Sequence, residues 1–214
     1  MDTITPKKNS WSIVILGLWN RMIFNPSWVG KNVFESETVE CLVSVMPQDP
    51  TIFRHGGISL LVQDQRLILR VDEYSLDKVL DAEKKALRII QELPHTPLIG
   101  IGINFGFVID GDGRSDILTV FNHDDDSQLT EAGWQVDKRV IERILKKEDE
   151  SNYVLKFTMS LDKQISFDAN FHHPINKYDD AISVLSGRTN TLLNELITMM
   201  SHVYDLDFTI NEGQ

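Results

Sequence analysis

The clearest alternation of apolar and polar residues along the chain lies between residues 155 and 171. Leu155 and Phe157 alternate with polar residues before a turn, and Ile165 and Phe167 resume the alternation after it. A period of two places apolar side chains on one face of a strand and polar side chains on the other. The pattern therefore predicts an antiparallel hairpin with one face in the core and one face in water.

Shorter apolar runs predict further strands, and Asp64-Gln65 predicts a tight hairpin turn between two β-rich runs. The other predicted strands cover residues 13–18, 39–45, 101–109 and 117–121.

Helical spacing of apolar residues follows the first hairpin, between a possible cap at Ser75 and a stop at Pro94. Asn25 followed by Pro26 predicts the start of a short helix. His123–Ser127, read as HDDDS, predicts another helix start, because carboxylates favour the helix N-terminus. Further helices are predicted over residues 136–145, with Val140, Ile141 and Ile144 facing inward, and over 179–204.

Hairpin followed by helix thus occurs twice, near residues 58–93 and 153–204. We expect an α+β fold with antiparallel sheets, helices packed on one face and two hairpin-then-helix halves. We expect residues 1–214 to form one unit, or else two similar halves at 10–121 and 122–210.

Composition is that of an ordinary folded protein, with 42% hydrophobic and 25% charged residues. Cys41 is the only cysteine, which excludes an intrachain disulfide and a Cys₂His₂ zinc site and favours a cytoplasmic setting. Its place within an apolar run predicts a buried, inert thiol. The longest apolar run, Ile13–Trp19, is far shorter than the roughly 20 residues of a membrane span, so we expect a soluble protein.

The net charge of −11 is unevenly distributed. Residues 1–110 carry 11 Lys and Arg against 13 Asp and Glu, a balance of −2, whereas residues 111–214 carry 10 against 19, a balance of −9. This charge disfavours direct binding to nucleic acid and favours a basic protein partner, although acidic surfaces also promote solubility.

One acidic segment, DGDGRSDI, resembles the calcium loop of propeller-type repeat proteins. The resemblance implies Asp110, Asp112 and Asp116 as oxygen ligands. Val108 stands where that motif has its first aspartate, and the motif occurs once. Because Asp-Gly pairs are common turn residues, we interpret the segment as a turn rather than a cation site, and we expect no metal or cofactor.

A second polar group comes from the strand after residue 164. Alternation places Asp168, Asn170 and His172 on one wet face, with Lys156 and Thr158 nearby. Such a row is typical of a solvated sheet face, and it is also the best candidate for a polar site. Gly100, Gly102 and Gly106, on a neighbouring predicted strand, indicate a bulge or a close backbone approach rather than a nucleotide loop.

No catalytic motif is present: the sequence has no G-x-S-x-G elbow, no phosphate-binding loop and no H-E-x-x-H. We therefore predict a non-enzymatic protein–protein interaction or assembly subunit, with a homo-oligomer compatible with this function. Trp and Met residues in apolar segments would serve as contact anchors or as core. The alternative is a hydrolase or small-ligand-binding enzyme with its site near Asp168 and His172.

Overall fold

A computed structural model of the chain describes residues 4–46, 48–109, 117, 120, 121, 123, 125–146, 152–161, 164–206 and 208. The strands are β1 (Ile4–Pro6), β2 (Ser12–Gly17), β3 (Glu40–Leu42), β4 (Thr51–His55), β5 (Ile58–Val62), β6 (Arg66–Val71), β7 (Leu98–Ile109), β8 (Lys138–Lys146), β9 (Asn152–Ser160) and β10 (Ile165–Pro174). The helices are α1 (Pro26–Val29), α2 (Leu76–Glu92), α3 (Asp126–Glu131), α4 (Tyr178–Val184) and α5 (Arg188–Tyr204), with a 3₁₀ turn at Arg21–Ile23 and a π-helical turn at Gly30–Phe34.

These strands form one antiparallel sheet in the order β3-β4-β5-β6-β2-β7-β10-β9-β8, and β1 pairs with the end of β7. The order is the same on both sides of the central pair β2–β7. On one side the meander β4–β5–β6 lies against β2 and leads into α2. On the other, the meander β8–β9–β10 lies against β7 and leads into α4 and α5. The α+β class and the two hairpin-then-helix halves are confirmed.

The long helices cover one face of the sheet, which we call the core face, and the opposite face is called the outer face. Core-face side chains of both meanders, such as Leu60, Leu69, Phe157 and Phe167, belong to one buried cluster. Helix α2 begins where the Ser75 hydroxyl accepts a hydrogen bond from the Lys78 N–H at 3.3 Å, as predicted. A continuous core of this kind is the main source of stability for a sheet with one wet face.

The predicted helix over residues 136–145 is wrong, because these residues form strand β8. Nine consecutive residues of β8 pair with β9, from Lys138 opposite Ser160 to Lys146 opposite Asn152. Apolar residues at 140, 141 and 144 fit both a helical face and a β-branched strand, so local spacing could not separate the two. In the strand, Ile141 lies opposite Phe157 on the core face, whereas Val140 and Ile144 belong to the outer face.

Other boundaries also differ from the predictions. The helix over 179–204 is two helices, α4 and α5, separated by a turn in which Gly187 has a φ of +87°. The predicted strand at 39–45 shortens to β3. Val120 and Phe121 lie in a turn, in which the Val120 N–H donates to the carbonyl of Ile117 at 3.2 Å, and not in a strand.

Four local predictions concern caps and buried groups. Asn25 does cap α1, since its side chain accepts from the Trp28 N–H at 3.0 Å. The HDDDS segment does precede a helix, but Asp125, the residue before α3, makes no side-chain capping hydrogen bond. Cys41 is half-buried rather than fully buried, and partial burial raises the pKa of its thiol. Trp11 is fully buried in the core.

Candidate functional site

The polar row predicted from alternation lies on the outer face of β10. Asp168 is opposite Lys156 of β9 and Gly106 of β7, and Asn170 is opposite Asn104 of β7. His172 lies two residues further along the same strand. The structure therefore brings Asp168, Asn170 and His172 onto one face with Lys156, as alternation predicts.

Glycines on β7 make room for this polar row. A Cβ atom added at Gly100 would lie 2.8 Å from Cε1 of His172, and one added at Gly106 would lie 2.7 Å from Oδ1 of Asp168. These distances are shorter than real Cβ contacts, so a larger residue at either position would force the neighbouring side chains to shift. Gly100 and Gly106 are therefore positions of close approach, mainly to neighbouring side chains rather than to backbone, whereas the nearest atom to a Cβ at Gly102 is 3.4 Å away.

The side chains of the row bind one another. Lys7 Nζ donates to both carboxylate oxygens of Asp168, at 2.9 and 2.6 Å. Asn170 Nδ2 donates to Oδ1 of Asn104, and Nδ2 of Asn104 donates to the Ser12 hydroxyl at 3.1 Å. The Lys7–Asp168 pair is about one-third exposed on each side, where an ion pair contributes roughly 0–1 kcal/mol. The row is a polar network that joins β10 to β7, β2 and the chain after β1.

This network does not have the geometry of a catalytic pair. Among the described residues, His172 forms no hydrogen bond to Asp168 or to any hydroxyl, so no base is aligned with a nucleophile. Three cavities of about 840, 710 and 590 Å³ are formed by other residues, and neither Asp168 nor His172 lines any of them. The arrangement favours a structural role for the row.

Asp110, Asp112 and Asp116, the residues of the calcium-loop resemblance, lie outside the described residues. Across the part of the chain that the structure describes, no group of three or more His, Cys, Asp or Glu side chains is placed to hold a metal ion.

A different surface emerges at the far end of the second meander, and we call it the β8–α5 surface. It comprises both faces of one sheet edge: Val140 and Ile144 of β8 lie on the outer face, and Leu145 of β8 lies on the core face with Met199 and Val203 of α5. Ile144 is 63% exposed, Val203 57% and Leu145 39%. Exposed apolar residues in one place are more informative than scattered ones, because contiguous apolar patches mark interaction sites.

An apolar cleft of about 840 Å³ opens between the sheet and α5 at this surface. Its walls are mainly aromatic and aliphatic, and polar side chains lie among them: Leu145, Lys146, Tyr153, Leu155, Phe171, Asn194, Glu195, Leu196, Thr198, Met199, His202 and Val203. A cavity with apolar walls and a few polar groups is the usual form of a binding site.

Strand β8 is itself the edge of the sheet. It pairs with β9 on one side, and no described strand pairs with its other side. Its register with β9 has no bulge over nine residues. An edge of this length presents a row of unpaired backbone N–H and C=O groups that another strand can pair with.

Two arginines anchor β8 to the helices. Arg139 donates to Asp126 of α3 at 2.8 Å, and this hydrogen bond holds the pKa of the Asp126 carboxyl below its usual value. Arg143 donates to the Tyr204 hydroxyl and lies 5.7 Å from the centre of its ring. Helices α3 and α5 therefore hold β8 through its core-face arginines, and no strand among the described residues pairs with its free edge.

Sequence reasoning missed this surface because residues 136–145 were assigned to a helix. The signal that could have found it is the run Lys138–Lys146, in which charged residues at both ends enclose β-branched residues, as on many edge strands.

None of the described helices is long and apolar enough to cross a membrane. The chain matches no protein family model, and no curated protein matches its sequence.

Proposed function

We propose that this chain is a non-enzymatic protein-binding subunit and that its partner docks on the β8–α5 surface. The observation that carries the proposal is a nine-residue edge with no described strand on its free side, which exposes Val140 and Ile144 on its outer face and borders an apolar cleft through Leu145 on its core face. Strand addition to such an edge, with side chains entering adjacent pockets, is a recurring mode of protein recognition.

Burial of the exposed side chains supplies the driving force. Ile144, Leu145 and Val203 are each between 39% and 63% exposed, and apolar surface removed from water stabilises a complex by roughly 25 cal/mol per Å². The two arginine anchors limit the motion of β8, so less conformational entropy is lost when a partner pairs with it.

A small-ligand site near Asp168 and His172 is the second candidate. Its support is the row of polar side chains held above the glycines of β7. The Lys7–Asp168 and Asn170–Asn104 bonds already use polar atoms of Asp168 and Asn170 that would otherwise bind a ligand, which leaves His172 and makes this candidate the weaker one.

Affinity capture of the tagged chain from its own cells separates the two candidates. Three forms are compared: the wild type, an edge variant carrying Ile144→Lys and Val203→Lys, and an outer-face variant carrying Asp168→Ala and His172→Ala. Both edge substitutions replace exposed side chains, so thermal unfolding of all three forms should be closely similar.

We expect a stoichiometric partner with the wild type and with the outer-face variant, and its loss from the edge variant. Equal capture by the edge variant, or recovery of this chain alone from every form, would contradict the proposal. Loss of a bound small molecule from the outer-face variant alone would favour the second candidate.

A further inference from the structure

We infer that the segment docking on β8 is an extended, acidic strand that adds to the edge of the sheet. This inference rests on the proposed function and names the chemistry of the partner. Strand β8 contains Lys138, Arg139, Arg143 and Lys146 against the single acidic Glu142, a local balance of 4 − 1 = +3 in a chain of net charge −11. The whole-chain charge favours a basic partner, whereas the charge of this edge favours an acidic one.

The positive charges available to a partner are the lysines at the two ends of β8. Arg139 and Arg143 are engaged by Asp126 and Tyr204. Within the described part of the chain, Lys138 and Lys146 form no ion pair. They are eight residues apart, which corresponds to about 27 Å along an extended strand. Each end of the edge therefore presents a lysine that a partner can pair with.

Alternation fixes the order of charged and apolar side chains along the outer face of β8. Lys138, Glu142 and Lys146 carry the charges, and Val140 and Ile144 stand between them. Directly opposed side chains on antiparallel strands have Cβ atoms about 4.5–5.5 Å apart, close enough for charge pairs and apolar pairs to form. The complementary strand carries an acid, an apolar residue, a base, an apolar residue and an acid at every second position.

A second copy of β8 does not meet this requirement over the full strand. Antiparallel self-pairing centred on Glu142 would oppose Glu142 to itself and Lys138 to Lys146 at both ends. Like charges directly opposite one another destabilise a strand pair. The two lysines thus disfavour pairing of β8 with a second copy of itself and favour pairing with an acidic strand.

A pair of synthetic peptides tests the inference directly. The acidic-ended probe is Glu-Thr-Val-Thr-Lys-Thr-Val-Thr-Glu with blocked termini, and the matched control exchanges every Glu for Lys and the Lys for Glu. Both have the same apolar residues, and their symmetry presents the same pattern to β8 in either chain direction. Binding to the full wild-type chain is followed by NMR through the backbone amides of residues 138–146.

We expect the acidic-ended peptide to shift these amides and to bind about tenfold more tightly than the control at low salt, with the difference shrinking as salt is added. The variant Lys138→Glu/Lys146→Glu should reverse the preference. Equal binding of the two peptides to the wild type, or no change in the β8 amides with either, would overturn the inference whatever the variant does.

Failure of the inference is distinguishable from failure of the proposed function. If neither peptide discriminates but the captured partner is still lost from the Ile144→Lys/Val203→Lys variant, the surface binds a partner of different chemistry. If neither peptide discriminates and the Ile144→Lys/Val203→Lys variant still captures the partner, both the inference and the proposed function are contradicted.

Discussion

The two halves of the sheet share a strand order but end in different edges. The first half, β2 to β6, ends in β3, which has three residues. The second half, β7 to β10, ends in β8, which has nine. A short edge strand gives little for another chain to pair with, whereas a long straight one is a template. Both edge strands lack a described partner on their outer side, but β8 is three times as long as β3.

The two halves also differ in how the core face of the sheet is covered. In the first half, Val33 and Phe34 of the connection after β2 are buried in the core, and Glu35 accepts a hydrogen bond from Arg88 of α2. In the second half, the apolar cleft lies between α5 and the sheet. Exposed apolar side chains nonetheless occur in both halves, among them Val43 and Val45 after β3 and Ile144 of β8.

The outer faces differ as well, along a single row of paired residues. In the first half the row is apolar, and beyond the centre of the sheet it becomes polar. Its members in spatial order are Leu42, Ile52, Leu61, Ile68, Val14, Gly102, His172, Asn152 and Lys146. The outer face thus changes from apolar in the first half to polar in the second along one row of paired residues.

The largest expected effect on stability comes from removing the hydrogen bonds between α2 of the first half and α5 of the second. Glu83 of α2 is buried and accepts two hydrogen bonds from Thr189 at the start of α5, from the backbone N–H at 2.9 Å and from the hydroxyl at 2.7 Å. Glu83→Ala leaves two buried donors unpaired and should lower the free energy of unfolding by about 2–4 kcal/mol. Urea unfolding measures the loss, and hydrogen exchange shows whether β5 and β9 open together.

Two substitutions serve as references for that result. Glu92→Ala removes an exposed carboxylate from the same helix and should change stability by roughly 0.5 kcal/mol or less. Glu83→Gln retains an acceptor oxygen and should lose less than Glu83→Ala. A loss at Glu83→Ala no larger than that at Glu92→Ala would show that the halves do not depend on this link.

A smaller effect is expected on the polar outer face of the second half. A Cβ at Gly106 would lie 2.5 Å from the Ser10 side chain, whereas the nearest atom to a Cβ at Gly102 is 3.4 Å away. Gly106→Ala should therefore destabilise by about 1–3 kcal/mol through crowding. Gly102→Ala, on the same face of the same strand, should be close to neutral or slightly stabilising, because alanine restricts the unfolded chain.

Thermal unfolding of the two alanine variants checks this contrast. Similar melting temperatures would mean that Ser10 and Asp168 move aside readily and that the close packing of the outer face is not required for stability.

The smallest effects concern one carboxylate in each half. Hydrogen bonds from Arg88 to Glu35 and from Arg139 to Asp126 hold the pKa of each carboxyl below its usual value. A lowered folded-state pKa contributes stability that is present above the unfolded pKa and is lost as the pH falls through the folded pKa. Both pairs should therefore weaken in acid, on the low side of the usual range for carboxyl groups.

Carbon-13 NMR of the carboxyl groups follows each titration separately. Arg88→Gln should return the pKa of Glu35 toward its usual value and leave that of Asp126 lowered, and Arg139→Gln should do the reverse. A shift of both carboxyl groups in either variant would contradict the independence of the two pairs.

Local patterns were sufficient for elements whose partners are adjacent in the chain. Alternation predicted the β9–β10 hairpin and placed Asp168, Asn170 and His172 on one face, and helical spacing with Ser75 predicted α2. These signals are local because a hairpin pairs neighbouring residues and a helix bonds within itself. The hydrogen-bond partners of Asp168 and Asn170 in this row are Lys7 and Asn104, which lie 161 and 66 residues away from them along the chain.

By itself, the sequence determined the α+β class, the two hairpin-then-helix halves and the polar face of β10. The tertiary structure decided that residues 138–146 are a strand, that this strand is an edge, and that its Leu145 lines a cleft with residues of α5. Val140, Ile141 and Ile144 fit a helix or a strand equally well, and hydrogen bonding to β9 selects the strand. Charged ends such as Lys138 and Lys146 are typical of edge strands, but whether a strand lies at an edge is fixed by which strands it pairs with across the whole sheet.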